Sequence, residues 1–310
     1  RSVTGNDKKF SELEKKISKH KSQESTLVYP TGYMANLGAI TAIVEKQNTI
    51  FSDELNHASI IEACRLSSAK VKIFKHNDMD DLESKIKKTN GKKFIVSEGV
   101  FSMDGDLAKI KEITEISSKY DGITILDDAH GDFVFGKDGK GTASQFGVGR
   151  KIDLYISSLS KGLGSFGGYV SSQKNVIELC INRSKSFIYT SALPSAIIEF
   201  TLKRFNSNRE KNRKKLWENI KLLHSGLEEI GYETSSVSQI IPIIIGDEKT
   251  TMKFGKYLFK NGIFAQPIRY PTVKKNSARI RLSVTAWHTK NDITETLSIL
   301  EKCAKKFRLT

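Results

Sequence analysis

Two stretches of this sequence decide the fold: ITILDDAH at residues 123–130 and LYISSLSKG at residues 154–162. Each begins as a short apolar run and ends in polar side chains, with Asp127 and His130 after the first run and Lys161 after the second. Short apolar runs of this kind are typical of buried parallel strands, whose carboxyl ends lie at one edge of the sheet. The sequence therefore predicts a carboxylate, an imidazole and an amine at a common sheet edge.

The same alternation of apolar runs and helical segments continues along the chain, and Glu98 falls at the end of another such run. It favours an α/β fold, with a mainly parallel sheet covered by helices on both faces. Strands are predicted at 49–51, 71–74, 94–97, 123–126, 154–157 and 168–171, and helices at 10–17, 32–44, 80–88 and 107–119.

The last third of the chain has a different pattern. Residues 195–230 are helical in character, and strand-like runs then follow at 240–245, 263–268 and 278–284, before a helix at 291–307. This order predicts a smaller α+β domain at the C-terminal end. We place the boundary near residue 205, so that residues 1–205 form the large domain and residues 206–310 the small one.

Composition fits a globular protein with a substantial core, since the chain has 310 residues of which 38% are hydrophobic. No apolar run approaches the roughly 20 residues that span a bilayer, and no signal peptide opens the chain. Cys64, Cys180 and Cys303 lie far apart and form no CxxC pair. We expect buried reduced thiols, no metal site, no membrane partner and a cytoplasmic location.

The formal net charge of +15 raises the question of nucleic-acid binding. The lysines, however, are spread along the chain and alternate with acids, and the one dense basic run, 208–215, fits the exposed face of a long helix. No helix-turn-helix, zinc-finger or RNA-binding signature accompanies them. We expect solvated lysines and no nucleic-acid partner; attraction of an acidic acyl carrier protein or of coenzyme A is the weaker alternative.

An amine and an acid at one sheet edge are what pyridoxal phosphate (PLP) chemistry requires. Asp127 would face the pyridine nitrogen of this cofactor and favour the protonated ring. His130 could reach the ring hydroxyl, and His57, which follows another predicted strand, could stack on the ring. Each of these residues also has a structural interpretation: Asp127 could cap a turn, and the two histidines could be ordinary hydrogen-bonded residues. Together with Lys161 they favour a cofactor site.

Thr31 and Gly32 begin a predicted helix, whose free N–H groups suit a phosphate, although an ordinary capped helix fits equally. Residues 162–167 match GxGxxG, but they run into a predicted strand and not into the helix that a dinucleotide site needs. Residues 158–161 match SxxK without the SDN and KTG partner motifs. Glycines after Lys161 are better explained by close approach of the backbone to a planar ligand.

Arg279 and Arg281 alternate with apolar residues in the predicted strand 278–284. We expect one of the two to point towards the core, where a guanidinium needs an anion. A bidentate substrate carboxylate and an internal salt bridge both remain open as that anion.

Taken together, these motifs resemble the α-oxoamine synthases, a family of fold-type-I PLP-dependent transferases, over nearly the whole chain. Each motif is weak alone, and the set is highly specific. The resemblance implies a PLP-dependent C-acyltransferase with the fold-type-I architecture. The motifs that carry it are residues 3–6, 32–36, 57–59, 98–106, 127–131, 160–162, 189–194 and 271–273.

The resemblance also implies roles for individual residues. Lys161 would carry the Schiff base and move the substrate proton, while Asp127, His130 and His57 would contact the cofactor ring as described above. Ser191 would reach the phosphate of the neighbouring subunit, because sites of this family form across a homodimer interface. The remaining implied contacts are backbone amides of Gly32 and Tyr33, hydroxyls of Ser102 and of Ser158 (at a position usually held by threonine), and a carboxylate clamp from Arg281.

The segment 268–273 is most like that of family members that join L-alanine to a pimeloyl thioester, with loss of carbon dioxide. Arg269 carries this likeness, since members that act on glycine tend to lack arginine there, and Thr272 is the accompanying substrate-binding residue. Coenzyme A and a carrier protein both remain open as the carrier of the acyl group. Glycine-using members, such as 2-amino-3-ketobutyrate CoA ligase or 5-aminolevulinate synthase, form the alternative. A cofactor-free or nucleic-acid-binding protein on this scaffold is the alternative from another class.

Members of this family usually carry some tens of residues before the motif at 3–6, including an Asn-Tyr-Leu-Gly segment near the substrate site. The present sequence does not contain that part. We therefore expect incomplete contacts to the acyl substrate, and less than full activity from this chain alone.

Overall fold

The structure, a computed structural model, describes Arg1 and residues 5–307. The first half of the motif at residues 3–6 lies outside the described residues. The chain divides into two compact units. The large unit comprises Arg1–Phe101 and Leu107–Arg209, and the small unit comprises Ser102–Asp106 and Glu210–Thr310.

A seven-stranded sheet forms the centre of the large unit, in the order β1-β7-β6-β5-β4-β2-β3. The six strands predicted there are confirmed to within two residues at each end. The sequence did not predict β1, which lies at one edge of the sheet. The strands are β1 (Ser25–Tyr29), β2 (Thr49–Asp53), β3 (Lys70–Phe74), β4 (Lys93–Glu98), β5 (Gly122–Asp127), β6 (Leu154–Ser158) and β7 (Gly168–Ser172).

The direction of the strands gathers their carboxyl ends at one edge. Strands β2 to β6 pair in parallel, whereas β7 runs antiparallel to both β6 and β1. Because β7 opposes both neighbours, β1 runs in the same direction as β6. The carboxyl ends of β1, β2, β4, β5 and β6 therefore share one edge, which we call the carboxyl edge. In register, Glu98 pairs with Asp127, and Asp127 pairs with Ile156.

Helices cover both faces of this sheet, as predicted. Along β4, Phe94 and Val96 pack with one helical layer, and Ile95 packs with the other. This follows from the two-residue period of a strand, which sends successive side chains to opposite faces. The helices of the unit are α1 (Lys8–Lys21), α2 (Gly32–Ile43), α3 (Ala58–Leu66), α4 (Met79–Lys87), α5 (Ile110–Lys119), α6 (Thr142–Gln145), α7 (Lys174–Arg183), α8 (Lys185–Ile188) and α9 (Ser195–Asn206).

The small unit has its own core around a three-stranded antiparallel sheet in the order β8-β10-β9. Phe254, Leu258, Ile280 and Leu300 are almost fully buried in that core. The elements are α10 (Arg209–Ile230), β8 (Ile240–Gly246), α11 (Glu248–Lys260), β9 (Gln266–Ile268), β10 (Ala278–Ser283) and α12 (Lys290–Phe307).

Two predicted bounds were wrong. The strand expected at 263–268 forms only at β9, because Ile263 donates its N–H to the carbonyl of Leu258 and so belongs to the turn that follows α11. The helix expected from residue 107 begins at Ile110, because Leu107 forms an isolated bridge with Val100. In both cases an apolar residue makes a local backbone contact that periodicity does not predict.

The cysteine prediction is confirmed, since Cys64, Cys180 and Cys303 are buried and unpaired. Within the described ranges, none of the helices combines the length and the apolarity that crossing a bilayer requires.

Candidate active site

Asp127 ends β5 at the carboxyl edge and is buried, with 6% of its surface exposed. Two donors hold its carboxylate. The N–H of Ala129 donates to Oδ1 at 3.0 Å, and the side-chain amide of Asn36 donates to Oδ2 at 2.6 Å. Asn36 lies in α2, one helical turn after Gly32, so a helix that starts at the carboxyl edge fixes the carboxylate of a strand that ends there.

His57 follows β2 and caps the N-terminus of α3. Its Nδ1 lies 3.2 Å from the backbone nitrogen of Ser59 and 2.7 Å from the Ser59 hydroxyl. Loss of solvent around the ring lowers the pKa of His57, Asp127 opposes that shift, and the charge of Lys161 adds to it. The imidazole is therefore held mainly in its neutral form at neutral pH.

Lys161 follows β6 in the segment that leads to β7, and its side chain is exposed. Its ammonium lies close enough to His57 and to the carboxyl of Glu98 to lower the pKa of both groups. Asp127 acts on the same two groups. The structure therefore brings Lys161, Asp127 and His57 together at the carboxyl edge.

Glu98, to which the sequence assigned no role, completes this cluster. It ends β4 beside Asp127 and is 4% exposed. Burial raises its pKa well above the usual range, and the neighbouring Asp127 adds to that shift, against the smaller opposing effect of Lys161. Its Oε1 is a buried oxygen without a hydrogen-bond partner among the described residues, as is Oδ1 of Asn36. The cluster thus contains buried polar atoms to which the described residues offer no hydrogen bond.

The N-terminus of α2 lies against β6 and β7. Thr31 caps the helix, with its Oγ1 accepting from the N–H of Met34 at 3.1 Å, and the first helical N–H groups, at Gly32 and Tyr33, have no partner inside the helix. A Cβ on Gly32 would lie 3.0 Å from the Cβ of Ser158. The backbone of the helix start and the Ser158 side chain are therefore adjacent, as a phosphate site requires.

Two further predicted residues of the large unit lie in segments that connect its helices and strands. His130 is half-buried in the turn that follows β5. Ser191 is exposed in the loop between α8 and α9, where it borders a small recess lined by Tyr29 and Phe187.

Arg281 is a half-buried guanidinium in β10 of the small unit. Its Nε donates to the carbonyl of Ser102 at 2.6 Å, and Nη1 donates to the Ser283 hydroxyl at 2.8 Å. No carboxylate of the described chain lies within ion-pair distance of it, and burial lowers its pKa. Ser102, expected to contact the cofactor through its hydroxyl, contacts Arg281 through its backbone.

Arg279, by contrast, forms an ion pair with Asp104 and is 7% exposed. We expected one of the two arginines to point towards the core, and this was wrong, because Ile280 is the residue between them that lies in the core of the small unit. Residues two apart in a strand share a face, so Arg279 and Arg281 lie on the same side of β10 and the fully buried Ile280 lies on the other. Arg279 thus has an internal anion, and Arg281 has none among residues 5–307.

Arg269 and Thr272 lie in the turn that connects β9 to β10. The N–H of Thr272 donates to the carbonyl of Arg269 at 3.0 Å, and both side chains are exposed.

A buried ionic cluster, which no sequence motif predicted, supports the turn that carries Asp127 and His130. The ammonium of Lys21 in α1 lies 3.1 Å from Asp128 and 3.3 Å from Asp132, and His20 lies 3.0 Å from Asp132. Burial alone would lower the pKa of Lys21, but the two carboxylates more than offset this and raise it. The partners are over 100 residues apart, so only the tertiary structure reveals them.

The fold and the site together define a fold-type-I PLP-dependent enzyme. Comparison with known proteins agrees: the model of the family "aminotransferase class I and II" matches residues 3–300, and the chain belongs to that family. Within it, the 8-amino-7-oxononanoate synthase of Thermoanaerobacter pseudethanolicus is 44% identical to this chain over 315 residues, covering 100% of this chain and 80% of that protein.

Solved structures show the same relationship. The crystal structure of 8-amino-7-oxononanoate synthase from Francisella tularensis superimposes with a TM-score of 0.85 and 28% identity, over 97% of this chain and 89% of that one. A serine palmitoyltransferase from S. paucimobilis, solved with bound PLP and myriocin, superimposes with a TM-score of 0.96 and 27% identity, over 100% of this chain and 80% of that one.

Proposed function

We propose that this protein is a PLP-dependent acyltransferase of biotin biosynthesis, which condenses L-alanine with a pimeloyl thioester to give 8-amino-7-oxononanoate, carbon dioxide and the free carrier thiol. The observation that carries the proposal is the placement of Lys161 with buried Asp127 and His57 at the carboxyl edge. The relatives named above as 8-amino-7-oxononanoate synthases support the choice of reaction.

The residues at this edge fit pyridoxal phosphate. The amine of Lys161 matches the aldehyde of this cofactor, and the carboxylate of Asp127 matches its ring nitrogen. The N–H groups that begin α2 match its phosphate. The buried oxygens Asn36 Oδ1 and Glu98 Oε1 have no hydrogen-bond partner among the described residues, which supports binding of a further polar group beside them. Bound there, PLP supplies an electron sink for negative charge that develops at the α-carbon of the amino acid.

The chain's own residues then have distinct tasks. Lys161 would hold the cofactor through its amine, and its Nζ would take the α-proton of the substrate. Asp127, fixed by Asn36 and by the N–H of Ala129, keeps a negative charge where the ring nitrogen must stay protonated. His57 supplies a flat neutral ring for stacking, and His130 a partner for the ring hydroxyl.

Arg281 is our candidate for binding the substrate carboxylate, because it is a desolvated guanidinium without an internal carboxylate partner. We assign Arg269 and Thr272 to the acyl substrate, and Gly32, Tyr33, Ser102, Ser158 and Ser191 to the cofactor. We keep residues 1–205 and 206–310 as the two domains of the functional protein.

We further propose that the protein acts as a homodimer in the cytoplasm, with Ser191 reaching the partner's site. Large aromatic side chains that are exposed in the single chain support this: Tyr33 is 48% exposed, Phe166 49% and Tyr189 81%. The net charge of +15 would favour an acidic acyl carrier protein as thioester donor.

Two measurements test the proposal. Borohydride reduction of the PLP-loaded protein, followed by peptide mapping, should place the pyridoxyl group on Lys161, with Lys161→Ala as the unlabelled control. An adduct on another lysine would refute the site. Thiol release should then be fastest with L-alanine and pimeloyl-CoA in a panel of amino acids. A preference for glycine would replace the proposed reaction by that of a glycine-using member.

A further inference from the structure

Four side chains at the carboxyl edge form one continuous string of hydrogen bonds. Asp127 Oδ2 lies 2.6 Å from Asn36 Nδ2, which lies 3.0 Å from Ser59 Oγ, which lies 2.7 Å from His57 Nδ1. The two middle residues are almost fully enclosed, with 3% of Asn36 and 1% of Ser59 exposed. Water therefore does not compete for these contacts, and their directions follow from the groups at the two ends.

The His57 end fixes one direction. The backbone N–H of Ser59 points at His57 Nδ1, at a nitrogen–nitrogen distance of 3.2 Å. A backbone N–H can only donate, so Nδ1 must be the unprotonated ring nitrogen. The Ser59 hydroxyl contacts the same nitrogen and must therefore donate to it as well.

The Asp127 end leads to the same direction. A carboxylate only accepts, so the amide of Asn36 must turn its NH2 group, and not its oxygen, towards Asp127. That NH2 group also faces Ser59 Oγ and donates to it. The serine oxygen is thereby used as an acceptor, and its proton is left for His57. Both ends require one arrangement, in which the negative charge of Asp127 orders every proton along the string.

We propose that Asn36 and Ser59 are positioning residues that hold His57 as the neutral tautomer with its proton on Nε2. The titratable groups that face this site are Asp127 and Lys161, which are charged, and Glu98, whose raised pKa favours the neutral carboxyl. Asp127 would by itself favour a protonated imidazole. Two neutral side chains, Asn36 and Ser59, lie between Asp127 and His57 in the string. His57 Nδ1 therefore accepts a hydrogen bond from Ser59 and does not contact the carboxylate directly.

The consequence rests on the proposed function. With Nδ1 already accepting from two donors, His57 has no available lone pair with which to remove a proton from a substrate. Its ring can stack and can donate from Nε2. Proton removal is then left to Lys161, and the neighbouring histidine does not compete for that role.

The tautomer can be measured directly by long-range ¹H–¹⁵N NMR of histidine-labelled protein, with and without PLP. Six histidines give signals, and His57→Gln identifies the one of interest. We expect an unprotonated Nδ1 and a protonated Nε2 at pH 7.5. A proton on Nδ1, or a charged ring, would overturn the proposal. Absence of PLP binding would instead overturn the proposed function and leave this measurement valid.

Variants of Ser59 test the string itself. Ser59→Ala removes the hydroxyl donor and should raise the pKa of His57 by about 0.5–1 unit, because one hydrogen bond to the neutral ring is lost. Ser59→Thr keeps a hydroxyl and should restore the wild-type value. Ser67→Ala, which removes a hydroxyl at the other end of α3, is the matched control and should change nothing.

The pH profile of kcat/KM should change in the same way. Its acidic limb should move to higher pH in Ser59→Ala and return to the wild-type position in Ser59→Thr. A merely structural role of Ser59 would lower activity at all pH values without moving that limb. An unchanged His57 pKa in a folded Ser59→Ala protein would contradict the proposal. Should that variant fail to fold, the wild-type tautomer alone decides.

Discussion

Glu98 illustrates how burial beside a second carboxylate can favour the neutral form of one residue. Its carboxyl is enclosed beside Asp127 and keeps its proton, since its pKa is raised well above the usual range. The unfolded chain releases that proton above about pH 4.3. The folded state therefore binds one proton more than the unfolded state between that pH and the raised pKa, and Glu98 makes the protein less stable as the pH rises through this window.

Glu98→Gln should remove this effect, because an amide has the same shape and no charge to lose. For the PLP-free protein we expect a Tm gain of about 2–4 °C at pH 7 and none near pH 4. Thermal unfolding across this pH range is the measurement. The exposed Glu12→Gln serves as control and should shift Tm at neither pH. A gain for Glu98→Gln that is equal at both pH values would contradict a protonated Glu98.

The two arginines of β10 differ in their anionic partner, and this difference can be seen only in the tertiary structure. The sequence predicted that a guanidinium in this strand needs an anion, and it left open whether the anion is internal or a substrate. Arg279 pairs with Asp104, whereas Arg281 contacts a backbone carbonyl and a serine hydroxyl. The partner of each depends on how the segment Ser102–Asp106 packs, which strand periodicity does not encode.

Arg281→Lys should raise KM for L-alanine by about 10- to 100-fold, because lysine cannot make the paired hydrogen bonds of a guanidinium with a carboxylate. The change in kcat should be smaller. Arg279→Lys is the matched control. It should lower Tm because it weakens the contact with Asp104, and it should leave KM within about threefold of the wild-type value. Steady-state kinetics and thermal unfolding of both variants separate the roles. Equal KM increases would mean that the internal pair also orders the substrate site.

At the scale of elements, the start of α2 is set by three glycine and serine positions in three different elements. A Cβ on Gly168 would lie 2.5 Å from the backbone nitrogen of Gly32, and Gly32 in turn lies against Ser158. The sequence suggested close backbone approach near Lys161 and an anion site at residue 32. The close backbone approach and the anion site lie at the same place because β7 pairs with both β1 and β6.

Gly168→Ala should displace the N-terminus of α2, since the atoms in its way belong to the backbone and cannot rotate aside. We expect a loss of about 1–3 kcal/mol in the free energy of unfolding and an increase of at least about 10-fold in the Kd for PLP. Absorbance titration measures the second quantity. Gly149→Ala, whose Cβ would make an ordinary 3.4 Å contact with Tyr155, is the control. Normal PLP affinity in a folded Gly168→Ala protein would exclude this helix from the phosphate site.

The parallel strands were predictable because each is a short apolar run followed by a helix, a pattern that repeats along the chain. Strand β1 was not, since it follows the opening helix directly and adds to the sheet as an edge strand that is antiparallel to β7. Its position matters for the site, because it delivers α2 to the carboxyl edge. Local pattern thus predicts most strands, while their neighbours in the sheet depend on long-range pairing.

At the scale of the whole molecule, the chain's most exposed aromatic residues include Tyr189, which lies two residues before Ser191. An apolar surface of this kind beside a polar residue assigned to the cofactor phosphate is explained if a second copy covers it. In a symmetric dimer each subunit would then give its Ser191 to the other subunit's site. The sequence could suggest this arrangement only through its likeness to a family.

Mixing two inactive variants tests the shared site. Lys161→Ala removes the essential amine, and Ser191→Asp should repel the phosphate. In a mixed dimer both defects fall in one site if Ser191 acts across the interface, and the other site is intact. Random reassociation should then restore about one quarter of wild-type activity, because half of the dimers are mixed and each has one good site.

The control mixes Lys161→Ala with Asp127→Asn, two changes that act within the same subunit. Every site of that mixed dimer carries one defect, so no activity should return. Recovery with Ser191→Asp and none with Asp127→Asn would place Ser191 in the partner's site. Failure of both mixtures, in dimers shown by tagged copurification to have exchanged subunits, would mean that Ser191 serves its own subunit, because an intact site would otherwise have formed.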